Sequence, residues 1–193
     1  MNIARNGLTV AQVLEFNSNL GYASELTEAM SFLAMDPRTV FIGQAIRYPG
    51  TAVTNTLKNV PMDRRIEMPV AEQLQMGISI GMSLNGFIPV TIYPRWNFLL
   101  LAMSELVNHL DKLPLISEYR PKVIVRTVVG SERPLNPGPQ HLGNFTKAFK
   151  SICQTIKFVE LEEPENIVPA YKEALARDGS TVLVEFGDYY QEK

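Results

Sequence analysis

The chain has 193 residues, 46% of them apolar and 20% charged, with a formal net charge of −2. This is the balance of one soluble globular domain with a real core, and it leaves no global field to draw nucleic acid or an anionic membrane. Its single cysteine, Cys153, excludes an intramolecular disulfide framework and a cysteine-based zinc site, and two histidines, His109 and His141, are too few and too distant in sequence for a metal cluster. Nothing in the chain reaches the roughly 20 apolar residues of a membrane span. The first residues lack the apolar core of a signal peptide, so the expected location is cytoplasmic.

In chain order, residues 1–21 read as an N-terminal extension, and the domain proper as residues 22–193. Leu26, Met30 and Leu33 recur at helical spacing between Tyr22 and Met35, and Asp36-Pro37 stops that helix. Thr39-Val40-Phe41-Ile42 is a short β-branched and aromatic run ending at Gly43, the pattern of a buried strand. Arg47 to Lys58, with Pro49-Gly50, reads as a loop leading into weak helix, and Arg65-Ile66-Glu67-Met68 as a short strand. A helix comes next, from Ala71 to Leu84. It carries Gly77 and Gly81 one turn apart, at a cost of about 1 kcal/mol each against alanine, which predicts close approach of another backbone to that face.

Ile88 to Ile92 reads as strand, Phe98 to Leu110 as one strongly apolar buried helix, and Lys122 to Val129 as the clearest strand. A proline- and glycine-rich loop spans Gly130 to Gly143, long enough to suggest function. Helix from Asn144 to Ile152, strand from Thr155 to Leu161, helix from Pro164 to Arg177 and strand from Thr181 to Glu185 complete the pattern. Strands alternate with helices, and several strands are continuous apolar runs. Both features predict an α/β three-layer sandwich, a mostly parallel sheet with helices on both faces.

The sequence contains no phosphate-binding Gly-rich loop and no nucleophile elbow. Three residues stand out instead. Glu72 opens a helix directly after a strand and a proline. It reads either as a helix-dipole acid, worth about 0.3–1 kcal/mol, or as a carboxylate in an apolar cleft able to share a proton with a ligand nitrogen. Phe98 reads either as core or as a ring platform for a flat heterocycle. His141 reads either as an exposed loop residue or as an acid/base at a cleft mouth.

Asp36-Pro37-Arg38-Thr39-Val40-Phe41-Ile42-Gly43, Tyr48-Pro49-Gly50 and Met68-Pro69-Val70-Ala71-Glu72-Gln73, with Gly77 to Gly86 after them, together resemble one family. Asn97-Phe98, Val107-Asn108, Val125-Arg126 and Gly138-Pro139-Gln140-His141 continue the match in the same order. The family is the pyrimidine-binding domain of thiamine-diphosphate enzymes, and the segments are most similar to the beta subunits of pyruvate and branched-chain 2-oxoacid dehydrogenases. The resemblance implies that Glu72 hydrogen-bonds the aminopyrimidine of thiamine diphosphate, which activates the thiazolium carbon. It implies that Phe98 stacks on that ring, that Val70 meets it through backbone, and that His141 lines the substrate channel. Gln44 falls in the cofactor-binding segment where the family usually has an acid. Leu101 replaces a polar residue, and Leu142-Gly143 replaces the common Ser-Gln.

The sequence lacks Gly-Asp-Gly, the motif that holds magnesium and the diphosphate in such enzymes. It also stops where a dehydrogenase beta subunit would continue into a further domain. The resemblance therefore implies half an active site, on a 2-oxoacid or ketose enzyme. A separate alpha-type subunit would carry Gly-Asp-Gly and the Mg2+ in a heterotetramer, or in a complex built on a homodimer of this chain. The alternative is a binding or regulatory subunit that keeps the fold without the chemistry.

Overall fold

The computed structural model describes residues 21–132 and 136–192, so the expected extension falls outside it except for Gly21. Its centre is a six-stranded sheet of β1 (Thr39–Gly43), β2 (Arg65–Glu67), β3 (Ile88–Tyr93), β4 (Ile124–Val129), β5 (Lys157–Glu160) and β6 (Thr181–Phe186). All pairings are parallel, in the order β2-β1-β3-β4-β6-β5. The central strands are buried along most of their length, as parallel strands covered on both faces must be.

Helices cover both faces, and two apolar clusters result. On one face α1 (Tyr22–Met35) inserts Tyr22, Leu26, Met30 and Leu33 beside Ile167, Tyr171 and Ala174 of α7 (Pro164–Ala176), all against Phe41, Val90, Ile92 and Leu183 of the sheet. The same cluster takes in Val53 of α2 (Ala52–Asn55), a single turn started by Thr51, whose Oγ1 accepts the Thr54 N–H at 3.0 Å. On the other face, α3 (Glu72–Leu84) contributes Met76 and Ile80, and the segment after β3 contributes Trp96, Leu99, Leu106 and Leu110. The expected three-layer α/β sandwich is the observed architecture. No helix among the described residues is long and apolar enough to cross a membrane.

Two sequence expectations need correction. The apolar stretch read as one helix from Phe98 to Leu110 is divided into α4 (Trp96–Leu99), a 3₁₀ turn (Leu100–Ala102) and a π-helical turn (Glu105–Leu110). The extra residue of the wide turn rotates the facing of the side chains beyond it, and Asp111 enters the protein directly after it. Second, the Gly77 and Gly81 face of α3 is not closed by another segment of the described chain. A Cβ built at either glycine meets nothing within 4 Å, and the flanking Leu74 and Ile78 are exposed. Among the described residues, therefore, the spacing serves no close packing. Two short helices have no counterpart in the sequence pattern: α5 (Leu113–Ile116), and α8 (Tyr189–Glu192) after β6. Between them in the chain, α6 (Thr146–Ile152) falls within the expected helix.

Asp111 closes the turn at the start of β5. Its buried carboxylate accepts N–H groups from Gln154 (2.9 Å), Thr155 (2.8 Å) and Ile156 (3.2 Å), and pairs with Lys112 at 2.8 Å. Burial alone would raise its pKa, but the Lys112 ammonium and the three amides outweigh that and hold it below the ordinary carboxylate value. A group depressed in the folded state contributes stability above its unfolded pKa and loses it as pH falls through the folded one. Asp111→Asn is therefore expected to cost about 1–3 kcal/mol near neutral pH, where it leaves buried N–H groups poorly paired. The gap in Tm between the two proteins should shrink on acidification below about pH 4. A constant gap from about pH 7 to about pH 3 would show that the charge of Asp111 is irrelevant to folding.

Candidate functional site

The chain passes from β1 outward to β2 and then back across β1 to β3, so the order of strands reverses between β1 and β3. In open parallel sheets the crevice beyond the carboxyl ends at such a reversal is the place where ligands bind. The segments leaving β1, β2, β3 and β4 carry Gln44, Glu72, Phe98 and His141 respectively.

After β1 the chain must turn sharply past β3. Gly43 permits it, because a Cβ there would lie 2.7 Å from the Ile92 carbonyl oxygen. The next turn is built around Glu67, at the end of β2, whose carboxylate accepts the successive N–H groups of Ala45 (2.5 Å), Ile46 (3.0 Å) and Arg47 (3.0 Å). Ala45 takes a left-handed φ of 52° to present them. The turn delivers the Gln44 side chain to Glu72, with Nε2 donating to Oε1 at 3.3 Å.

Glu72 is the first residue of α3 and only 6% exposed. Its carboxylate is therefore buried at the start of a helix, an arrangement that suits an acid exchanging hydrogen bonds with a ligand. The hydroxyl of Tyr93 donates to the Glu72 carbonyl oxygen at 3.1 Å, tying the start of α3 to the end of β3. One turn on, the Gln75 amide donates to Thr91 Oγ1 (2.9 Å) and to the Ile92 carbonyl (3.0 Å). Burial, with the charges of Glu72 and Glu105 adding to it, pushes the Tyr93 hydroxyl far above its ordinary value, so it stays a neutral donor.

Phe98 and His141 form the second pair. The half-buried Phe98 ring meets the imidazole edge-on, with centroids 5.6 Å apart and planes at 82°. Arg95 aligns the two loops, its Nη1 donating to the carbonyls of Gly130 (2.6 Å) and His141 (3.1 Å). His141 Nδ1 is buried and has no hydrogen-bond partner among the described residues. A buried imidazole nitrogen left unpaired costs free energy, so it marks a place where a ligand atom would be welcome.

The structure thus joins Glu72 to Gln44 and Phe98 to His141, on the ends of adjacent strands. Val70 is 82% exposed, just before α3, and its side chain is not built into either pair. Sequence reading missed Glu67, Tyr93, Gln75 and Arg95. Only Gln75 left a local trace, as a polar residue on the same helical face as Met76 and Ser79.

A buried acid at a helix start and an aromatic–imidazole pair thus follow the carboxyl ends of neighbouring parallel strands at a topological reversal. The chain belongs to the transketolase pyrimidine-binding domain family, whose model matches residues 20–186. Among curated relatives it is 25% identical over 199 residues to the mitochondrial pyruvate dehydrogenase E1 component subunit beta of Ascaris suum, covering 96% of this chain and 54% of that one. It is 29% identical over 164 residues to the pyruvate dehydrogenase E1 component subunit beta of Gracilaria tenuistipitata var. liui, covering 82% of this chain and 50% of that one. A split-gene transketolase solved as an inactive beta4 tetramer superposes with a TM-score of 0.68 at 16% identity, covering 86% of this chain and 51% of that chain. The chain spans about half the length of these relatives.

Proposed function

We propose that this chain is the pyrimidine-binding part of a split thiamine-diphosphate enzyme that acts on a 2-oxoacid or a ketose, completed by a separate diphosphate-binding subunit. The observation that supports the reading is Glu72: a carboxylate 6% exposed at a helix start, beyond the carboxyl end of β2, held by an amide rather than by a cation. The residues fit the pyrimidine half of the cofactor. Glu72 offers an anionic acceptor to a ring nitrogen, the Phe98 face offers a platform, and the unpartnered His141 Nδ1 offers a further polar contact. The cofactor, when bound, would supply a nucleophilic carbon and an electron sink for a substrate carbonyl.

The protein's own residues would do the rest. Glu72 would hold and release a proton at the ring nitrogen, with Gln44 fixing one of its carboxylate oxygens. Phe98 excludes water from one side, and the backbone beside Val70 meets the ring edge. His141, oriented through Arg95, handles a proton at the substrate. The unit that does this is residues 22–193. Magnesium and the diphosphate belong to the partner, because Gly-Asp-Gly does not occur in this sequence. The open Gly77 and Gly81 face of α3, flanked by Leu74 and Ile78, supports assembly with a partner or a second copy at this helix.

The test is a calorimetric titration with thiamine diphosphate and Mg2+. The chain alone is expected to bind weakly or not at all, and the chain mixed with a Gly-Asp-Gly subunit to bind tightly in a larger assembly. Tight magnesium-dependent binding by the chain alone would overturn the split-site reading. A non-catalytic subunit would assemble normally yet add nothing to turnover.

A further inference from the structure

We propose that a basic recess bounded by Arg47, Lys58 and Arg65 is a binding site for a phosphate group, distinct from the Glu72 and His141 site. The recess has a volume of about 310 Å³ and is lined by Arg47, Pro49, Thr54, Asn55, Lys58 and Arg65. Three of its six lining residues are cations and none is an acid.

The unusual member is Arg65, on the edge strand β2 and only 7% exposed. Its Nε donates to the Val60 carbonyl at 3.1 Å, Nη1 to Ile46 at 3.1 Å, and Nη2 to Val60 at 2.7 Å and to Leu57. These partners are neutral carbonyls. They satisfy hydrogen bonds and fix the guanidinium plane, but they do not neutralise its charge. A guanidinium has five N–H donors, so one on Nη1 is still unused. Burial lowers the proton affinity of Arg65, and the nearby Arg47 charge lowers it further, both signs of an uncompensated buried cation.

No carboxylate relieves this. Among the described residues none of Arg47, Lys58 and Arg65 enters an ion pair. The acid two residues along the strand, Glu67, has its carboxylate turned to the N–H groups of Ala45, Ile46 and Arg47. Buried charges are ordinarily paired, and like charges facing one recess repel unless an anion lies between them.

The shape favours phosphate over a single carboxylate. Arg65 is a rigid floor, held in register opposite Phe41 of β1. Arg47 and Lys58 are exposed side chains long enough to close over an anion, and Asn55 adds an amide. The Arg47 guanidinium fork, the remaining Arg65 N–H and the Lys58 ammonium match the several acceptor oxygens and the double charge of a phosphate group. That group arrives either as free phosphate or on a phosphate ester, and the chemistry recognised is the same.

The experiment titrates the full chain with inorganic phosphate and, separately, with glycerol 3-phosphate as the ester probe. Ionic strength is held constant with chloride, and binding is read by phosphorus NMR line broadening and by thermal shift. The variant Arg47→Ala/Lys58→Ala keeps Arg65 and touches only exposed side chains, so its fold should survive; far-ultraviolet circular dichroism checks this. The expected result is saturable binding to the wild type and at least about tenfold weaker binding to the variant, because hydrogen bonds to charged groups are the strong ones. Tighter binding of the ester would assign the site to a phosphorylated metabolite, and equal or tighter binding of inorganic phosphate to the free ion. Failure of both probes to saturate the wild type overturns the proposal, as does an unchanged affinity in a folded variant. None of these outcomes depends on the thiamine-diphosphate reading.

Discussion

Glu72→Gln is expected to remove most of the turnover of the assembled enzyme, by about 10²–10⁴-fold, the usual range for losing a general acid–base group. Glutamine keeps the length and can still hydrogen-bond the Gln44 amide that now lies 3.3 Å from Oε1. It cannot carry the negative charge that a protonated or imino ring nitrogen requires. Folding should hardly suffer, because a buried charge is replaced by a neutral hydrogen-bonding group of the same shape. If Glu72 were only a helix-dipole acid, the pattern would invert: about 0.3–1 kcal/mol of stability lost, and the rate unchanged. Proton exchange at the thiazolium carbon, measured beside thermal unfolding, separates the two. Normal exchange at full cofactor occupancy would remove Glu72 from the chemistry.

Arg126→Met is expected to cost about 3–5 kcal/mol of stability, more than Asp111→Asn or Glu72→Gln, because it strands a buried carboxylate. Arg126 on β4 and Glu185 on β6 are both fully buried, with Nε 2.5 Å from Oε1 and Nη2 3.0 Å from Oε2. Burial works against the charged guanidinium, but Glu185 more than compensates and keeps it protonated. The hydroxyl of Tyr171 donates to Glu185 Oε1 at 2.7 Å, and that of Tyr190 to Oε2. The network therefore clamps α7 and α8 onto the sheet. Adjacent to it, Tyr22 bridges from α1 to the Leu161 carbonyl (2.7 Å) and the Phe186 N–H (3.0 Å). Chemical denaturation of Arg126→Met, Glu185→Leu and the double variant gives the coupling. The double should cost clearly less than the sum of the singles, since removing both charges strands neither. Simple additivity would mean that the two side chains do not act as a pair.

The legibility of each feature in the sequence depends on how local it is. The helix from Tyr22 to Met35 can be read to the residue, because Leu26, Met30 and Leu33 keep a helical period and Asp36-Pro37 breaks it. The strand at Thr39–Gly43 and the position of Glu72 at a helix start are equally legible, being set by neighbours in sequence. The parallel sheet can be inferred from apolar strands alternating with helices. Periodicity fails at Phe98 to Leu110, where a largely apolar run gives no sign of the π-helical turn that brings Asp111 to Gln154, Thr155 and Ile156.

The sequence by itself therefore determined most of the elements, the fold class and the place of Glu72 at a helix start. Tertiary structure alone decided the strand order β2-β1-β3-β4-β6-β5, and with it which loops share the crevice. It also decided that Gln44 faces Glu72, that Phe98 meets His141, and that Arg126 finds Glu185. The reason is physical. Helix period and strand character arise from the backbone and the nearest side chains, whereas these contacts exist only once distant segments are closed onto one sheet. Their partners are chosen by which buried charge or polar atom would otherwise be left unpaired.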